Sequence, residues 1–199
     1  MRPLTLSGSQ TVGPFFAICL TRDERPDSLK NVLVGDRTSG QRIRVHGHVR
    51  DGDGAPVSDA MIEIWQANAH GRYAHPADTR AEAPLEPGFT GFGRSATDEE
   101  GRFWFETIKP GRVPGPGGQL QAPHIVVTVF SRGLLNHAVT RLYFADEPSN
   151  DQDPTLACVP AERRAALLAR PQPHGGDGAA AYQFDIVLQG EGETPFFNL

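Results

Sequence analysis

The sequence is poor in cysteine and has no long apolar run. Only two of its 199 residues are cysteines, Cys19 and Cys158, and they lie far apart without the spacing of a metal-ligand pair. We therefore expect two reduced, packed thiols in place of a disulfide. No window approaches the roughly 20 apolar residues that a membrane span needs, and the N-terminus lacks the apolar stretch of a signal peptide. These absences predict a cytoplasmic protein that makes no membrane contact.

Basic residues are scarce as well. The chain has 19 Lys and Arg against 24 Asp and Glu, for a formal net charge of −5, and they form neither a run nor a stripe. A nucleic-acid-binding surface needs such a concentration of positive charge, so that class of function is excluded. The length suits one domain with one buried core.

Glycine and proline are scattered through the chain as turn signals between short elements. Over 41–50, Ile43, Val45, Gly47 and Val49 alternate with polar residues, which predicts a strand with one buried face. Further strands are predicted at 60–67, 93–97, 102–107, 122–131, 139–145 and 182–188, and one helix at 160–170. This pattern predicts an all-β fold: an antiparallel β-sandwich over 41–199 with one short helix and long loops, preceded by an irregular N-terminal arm over 1–40.

The histidines suggest a metal site only weakly. His46 and His48 project from the same face of the first strand and could together bind a metal. However, Arg42, Arg44 and Arg50 share that face and would repel a cation. A solvated strand face is therefore the preferred interpretation.

Several short motifs follow one another along the chain. They are SQTVGPFF at 9–16, IWQAN at 64–68 with GRY at 71–73, TIKPG at 107–111, PHI at 123–125 and YQFDI at 182–186. Their order and spacing resemble the intradiol ring-cleaving dioxygenases over nearly the whole chain from residue 9. These enzymes hold a ferric ion with two tyrosinates and two histidines, and they open a catechol ring between its two hydroxylated carbons.

The resemblance implies that the metal site of this chain is vestigial. The first family tyrosine matches Tyr73 and the first histidine matches His124, but the second tyrosine position holds Val113 and the second histidine position holds Val126. Valine has no donor atom, so we expect no iron and no catalytic residue in this chain. A rearranged site that uses His75 and His137 is an alternative, although no strand or helix spacing ties them to His124.

The resemblance also implies a partner. The protocatechuate-cleaving members are similar to pairs of homologous sandwiches, a beta subunit that binds Fe(III) and an alpha subunit that does not, and this chain resembles the alpha type. The N-terminal arm over 1–40 would then pack on the partner subunit, and Thr11, Gly13, Pro14 and Phe15 would help to wall the substrate pocket around the partner's iron. Arg132 would pair with the carboxylate of protocatechuate, the small aromatic substrate.

A second hypothesis is a non-enzymatic, transthyretin-like β-sandwich binding module. The turn at 53–56 and the strand that follows it suit such a module. It would not need the IWQAN or TIKPG motifs, which therefore favour the dioxygenase interpretation.

Overall fold

The computed structural model describes residues 20–21, 30–173 and 179–198. Strands make up most of the regular structure in these ranges. They are β1 Arg42–Arg50, β2 Met61–Trp65, β3 Phe92–Ala96, β4 Arg102–Ile108, β5 Val113–Pro114, β6 Leu120–Gln121, β7 His124–Phe130, β8 Ala138–Phe144, β9 Leu168–Gln172, β10 Ala180–Gln183 and β11 Ile186–Val187. Short 3-10 helices cover Pro116–Gly118, Pro148–Gln152 and Ala161–Leu167, and an α-helix covers Pro154–Ala157. No helix in the described ranges is long and apolar enough to cross a membrane.

The strands form two packed halves joined by β9, and the all-β prediction is confirmed. The order β11-β1-β10-β9-β8-β7-β2-β3 runs through both halves, and β4 pairs with the free side of β1. The longest ladders, such as β1 with β4 and β7 with β8, are antiparallel. Three shorter ladders are parallel: β1 with β10, β1 with β11, and β8 with β9.

The core lies between the two halves. In β1 the side chains of Ile43, Val45 and Val49 are buried, as the alternation predicts. They share one cluster with Phe105 of β4 and, from the other half, residues such as Ile64. The apolar faces of the two halves therefore cover each other. Burial of this apolar surface is the main favourable contribution to folding.

The helix predicted at 160–170 is present over part of that range, but it is of the 3-10 type and ends earlier. Residues Ala161–Leu167 form a 3-10 helix, and the chain then extends into β9, which includes Pro171. The reason is tertiary: Leu168 and Ala169 pair in parallel with Tyr143 and Phe144. This pairing and the full burial of Ala169 outweigh the helix propensity of the segment.

Part of the predicted arm falls within the described residues. Lys30 bridges to Arg94, and Val32 bridges to Glu106, so this stretch lies along β3 and β4. Leu33 enters the core cluster. This portion of the arm therefore packs on the sandwich of its own chain.

Candidate functional site

Tyr73 stands on the loop that follows β2. Gly71, two residues earlier, has a φ of +74°, and a Cβ there would lie 2.0 Å from the carbonyl oxygen of Arg112. Only glycine permits both that conformation and that approach. The motifs 71–73 and 107–111 are therefore packed against each other, and the Tyr73 ring stacks on Trp65 with centroids 5.9 Å apart.

His124 is the first residue of β7 and is buried, with 4% of its surface exposed. Its Nδ1 lies 2.8 Å from the carbonyl oxygen of Ala122, and its ring contacts Tyr143. Burial first, and the charge of Arg141 second, lower the pKa of His124 to about 4. The ring is therefore neutral at pH 7, and donation from Nδ1 to Ala122 leaves the lone pair on Nε2.

Val113 and Val126 are the residues that the resemblance matches to the other two ligands. Val113 is buried and lines a cavity of about 690 Å³ together with Trp65 and Tyr73. In the sheet, Val126 of β7 pairs with Trp65 of β2 on one side and with Arg141 of β8 on the other. Neither side chain carries a donor atom, so the residues present do not fit a four-ligand ferric site. Within the described ranges, no group of three or more His, Cys, Asp or Glu side chains could hold a metal.

An ion pair forms another wall of the cavity. Arg80 donates to Asp78 from Nε at 2.8 Å and from Nη2 at 2.6 Å, and the Tyr73 backbone N–H donates to the same carboxylate. The hydrogen bonds from Arg80 hold the pKa of Asp78 well below its ordinary value. The wall therefore carries two opposite charges that cancel.

Arg141 lies beside one of the matched ligand positions and was not singled out by the sequence analysis. It lies on β8 directly opposite Val126, and its Nη1 donates to Gln121 Oε1. Burial raises the pKa of Tyr73, and the positive charge of Arg141 acts against that rise. The sequence does contain a signal for it. In β8, Thr140 and Leu142 alternate with Arg141 and Tyr143, so the charged Arg141 shares a strand face with the buried Tyr143.

The structure places Arg132 away from these residues. It follows β7 at the end opposite His124, and the two ends of that strand are about 20 Å apart. Its side chain is 70% exposed and pairs with Asp59. The other residues expected to wall a substrate pocket, Thr11, Gly13, Pro14 and Phe15, lie outside the described residues.

Other histidines in the described ranges do not gather around His124. His75 makes an edge contact with Trp65, whereas His137 packs on Phe130 at the far end of β7. His48 lies 3.2 Å from a carboxylate oxygen of Asp185. Burial, followed by the charge of Arg44, lowers the pKa of His46. A rearranged site built on His75 and His137 therefore has no support from this geometry.

Comparison with known proteins agrees with the motifs. The dioxygenase family model matches residues 12–190. The chain is 43% identical to the protocatechuate 3,4-dioxygenase alpha chain of Burkholderia cepacia, with both chains fully covered. It is 40% identical to the beta chain of the same organism, over 85% of this chain and 73% of the relative.

A solved structure agrees with this result. The dioxygenase domain of a carbohydrate-binding fusion from Streptomyces sp. SirexAA-E superimposes with a TM-score of 0.62 at 29% identity, covering 92% of this chain and 97% of the other. The likeness extends over the whole sandwich, which favours the dioxygenase interpretation over a transthyretin-like module. The chain belongs to the intradiol ring-cleaving dioxygenase family.

Proposed function

We propose that this chain is the non-catalytic alpha subunit of a protocatechuate 3,4-dioxygenase. A homologous beta subunit holds the Fe(III), and the assembly cleaves protocatechuate with O₂ to 3-carboxy-cis,cis-muconate. The observation that carries the proposal is the donor-free pair Val113 and Val126 at two of the four ligand positions. The similarity to both alpha and beta chains of one relative supports a paired assembly. A cytoplasmic location stays a prediction.

The chain contributes to substrate binding rather than to the reaction with O₂. Residues Thr11, Gly13, Pro14 and Phe15 help to wall the pocket of the partner. Arg132 supplies a positive charge for the substrate carboxylate, and the exposure of its guanidinium supports an outward-facing role. Asp59 holds that guanidinium in the free chain and has to share it with the substrate in the assembly.

Iron analysis tests the proposal directly. The chain expressed alone is expected to contain no stoichiometric iron and to lack the visible absorption of tyrosinate bound to Fe(III), since two donors are missing. Coexpression with its homologous partner should give one iron per alpha-beta pair. One iron per chain in the isolated protein, with the tyrosinate absorption, would contradict the proposal.

A further inference from the structure

Arg141 stands next to a missing ligand position. In the antiparallel ladder of β7 and β8, His124 pairs with Tyr143 and Val126 pairs with Arg141. Directly opposed residues project from the same face with Cβ atoms about 5 Å apart. The guanidinium therefore belongs to the face that carries His124 and Val126, the two positions that match the histidine ligands of the family.

The charge of Arg141 stands on the same strand face as one retained donor. Arg141 and Tyr143 project from the same side of β8, and the Tyr143 ring contacts the His124 ring with centroids 5.8 Å apart. A fixed positive charge beside that ring disfavours a metal cation there. The repulsion grows in proportion to the charge of the ion, so a trivalent ion is affected most.

The guanidinium is also held in place by an uncharged partner. Its Nη1 donates to Gln121, whose own Nε2 donates to the carbonyl oxygen of Pro114 at 3.1 Å. No ion pair found in the described part of the chain includes Arg141. The nearby buried carboxylate of Asp153 is engaged by four donors, namely Ala122 N, Tyr143 Oη, Thr155 N and Leu156 N. An arginine cannot lose its proton in a protein, so the charge is permanent.

We infer that Arg141 helps to keep metal ions out by placing a permanent cation on the strand face that carries His124 and Val126. The inference deepens the proposed function and rests on it, because it concerns why the chain is free of iron. One feature of a metal site is still present, because the contact with Ala122 orients the His124 ring and leaves the lone pair on Nε2. The two missing donors are therefore only part of the block, and the charge is the other part.

Restoring the donors with and without the charge tests this inference. The variants V113Y/V126H, V113Y/V126H/R141Q and V113Y/V126H/R141K are each coexpressed and purified with the iron-binding partner. Iron per pair is measured by mass spectrometry, together with the absorption of tyrosinate bound to Fe(III). We expect one iron per pair in V113Y/V126H and in V113Y/V126H/R141K, which keep a positive charge at position 141. We expect two irons per pair in V113Y/V126H/R141Q, which does not. A second iron in V113Y/V126H would overturn the inference, and so would the absence of a second iron in V113Y/V126H/R141Q.

A smaller change covers the case in which the triple variants do not assemble. V126H and V126H/R141Q are titrated with Co(II) by calorimetry, with the wild-type pair as baseline. The neutral variant should bind Co(II) at least about tenfold more tightly, and equal affinities overturn the inference. A second iron in the wild-type pair would instead contradict the proposed function, so the two failures are distinguishable.

Discussion

At the scale of single residues, the neutral state of His124 makes stability depend on pH. Its pKa is about 4 in the folded chain against 6.5 as the ordinary value. As the pH falls below 6.5 the unfolded chain takes up a proton that the folded chain does not, so stability is lost between about pH 6.5 and 4. Between pH 7.5 and 5 this single group should cost about 2 kcal/mol of unfolding free energy.

Urea unfolding at the two pH values checks this expectation. The His124→Gln variant should lose about 2 kcal/mol less than the wild type on acidification, because glutamine does not titrate. The exposed His137, replaced in the same way, is the matched control and should leave the wild-type difference unchanged. An identical loss in wild type and His124→Gln would show that His124 is protonated in the folded chain.

Arg132 is the residue that we expect to distinguish substrates. Arg132→Ala in the assembled enzyme should weaken protocatechuate binding more than catechol binding, because only protocatechuate has a carboxylate. A charge-assisted hydrogen bond contributes about 1.5–3 kcal/mol, or roughly a ten- to hundredfold rise in KM. The effect on kcat should be smaller than that on kcat/KM, since the iron belongs to the partner. Steady-state kinetics with both substrates measures it.

Arg102→Ala is the control for this experiment. Arg102 is also an exposed arginine that pairs with an acidic side chain, Asp98, but it lies on β4. It should change neither substrate's KM. Equal losses for the two substrates in Arg132→Ala would show that Arg132 supports the structure only.

At the scale of elements, Asp153 connects the α-helix to the strand that carries His124. Its Oδ1 accepts from the helix N–H groups of Thr155 and Leu156, and its Oδ2 accepts from the N–H of Ala122. The side-chain oxygen of asparagine can replace one carboxylate oxygen. Its NH₂ group would take the place of the other oxygen, so that a donor would face another N–H donor. Asp153→Asn should therefore lower the unfolding free energy by about 2–3 kcal/mol.

Denaturant unfolding of two variants tests the role of this carboxylate. Asp151→Asn, two residues earlier and exposed, removes the same charge and should stay within about 0.5 kcal/mol of the wild type. If Asp153→Asn were equally mild, the cap and the link to Ala122 would be energetically unimportant. A large loss in both variants would instead indicate a general effect of charge.

At the scale of the whole molecule, we expect a large permanent interface with the partner chain. Several apolar side chains are exposed in the described residues, including Leu85 at 53% and Leu135 at 75%. Obligate complexes of homologous chains bury roughly 2,000 Å² or more. Light scattering coupled to size exclusion should therefore show one hetero-oligomer that contains both chains. A chain that stays a monodisperse monomer when mixed with its partner would contradict this expectation.

The amino-acid sequence alone determined most of the strands and the family. Alternation with period 2 is a local property, so β1 and β7 follow from the order of residues within each segment. The absence of donor atoms at two positions that the resemblance matches to ligands is likewise visible in the sequence, because valine has no donor atom in any conformation. The predicted contributions of Thr11, Gly13, Pro14, Phe15 and Arg132 to a partner's pocket stay predictions.

Only the tertiary structure decided the contacts between distant segments. Residues 168–172 became a strand because β8 and β10 lie on either side of them, and no local preference encodes those neighbours. The position of Arg141 is of the same kind: it lies 15 residues after Val126 and 68 after Tyr73 in sequence. Cross-strand register brings its charge to the face of His124, since pairing depends on how the whole sandwich closes over its core.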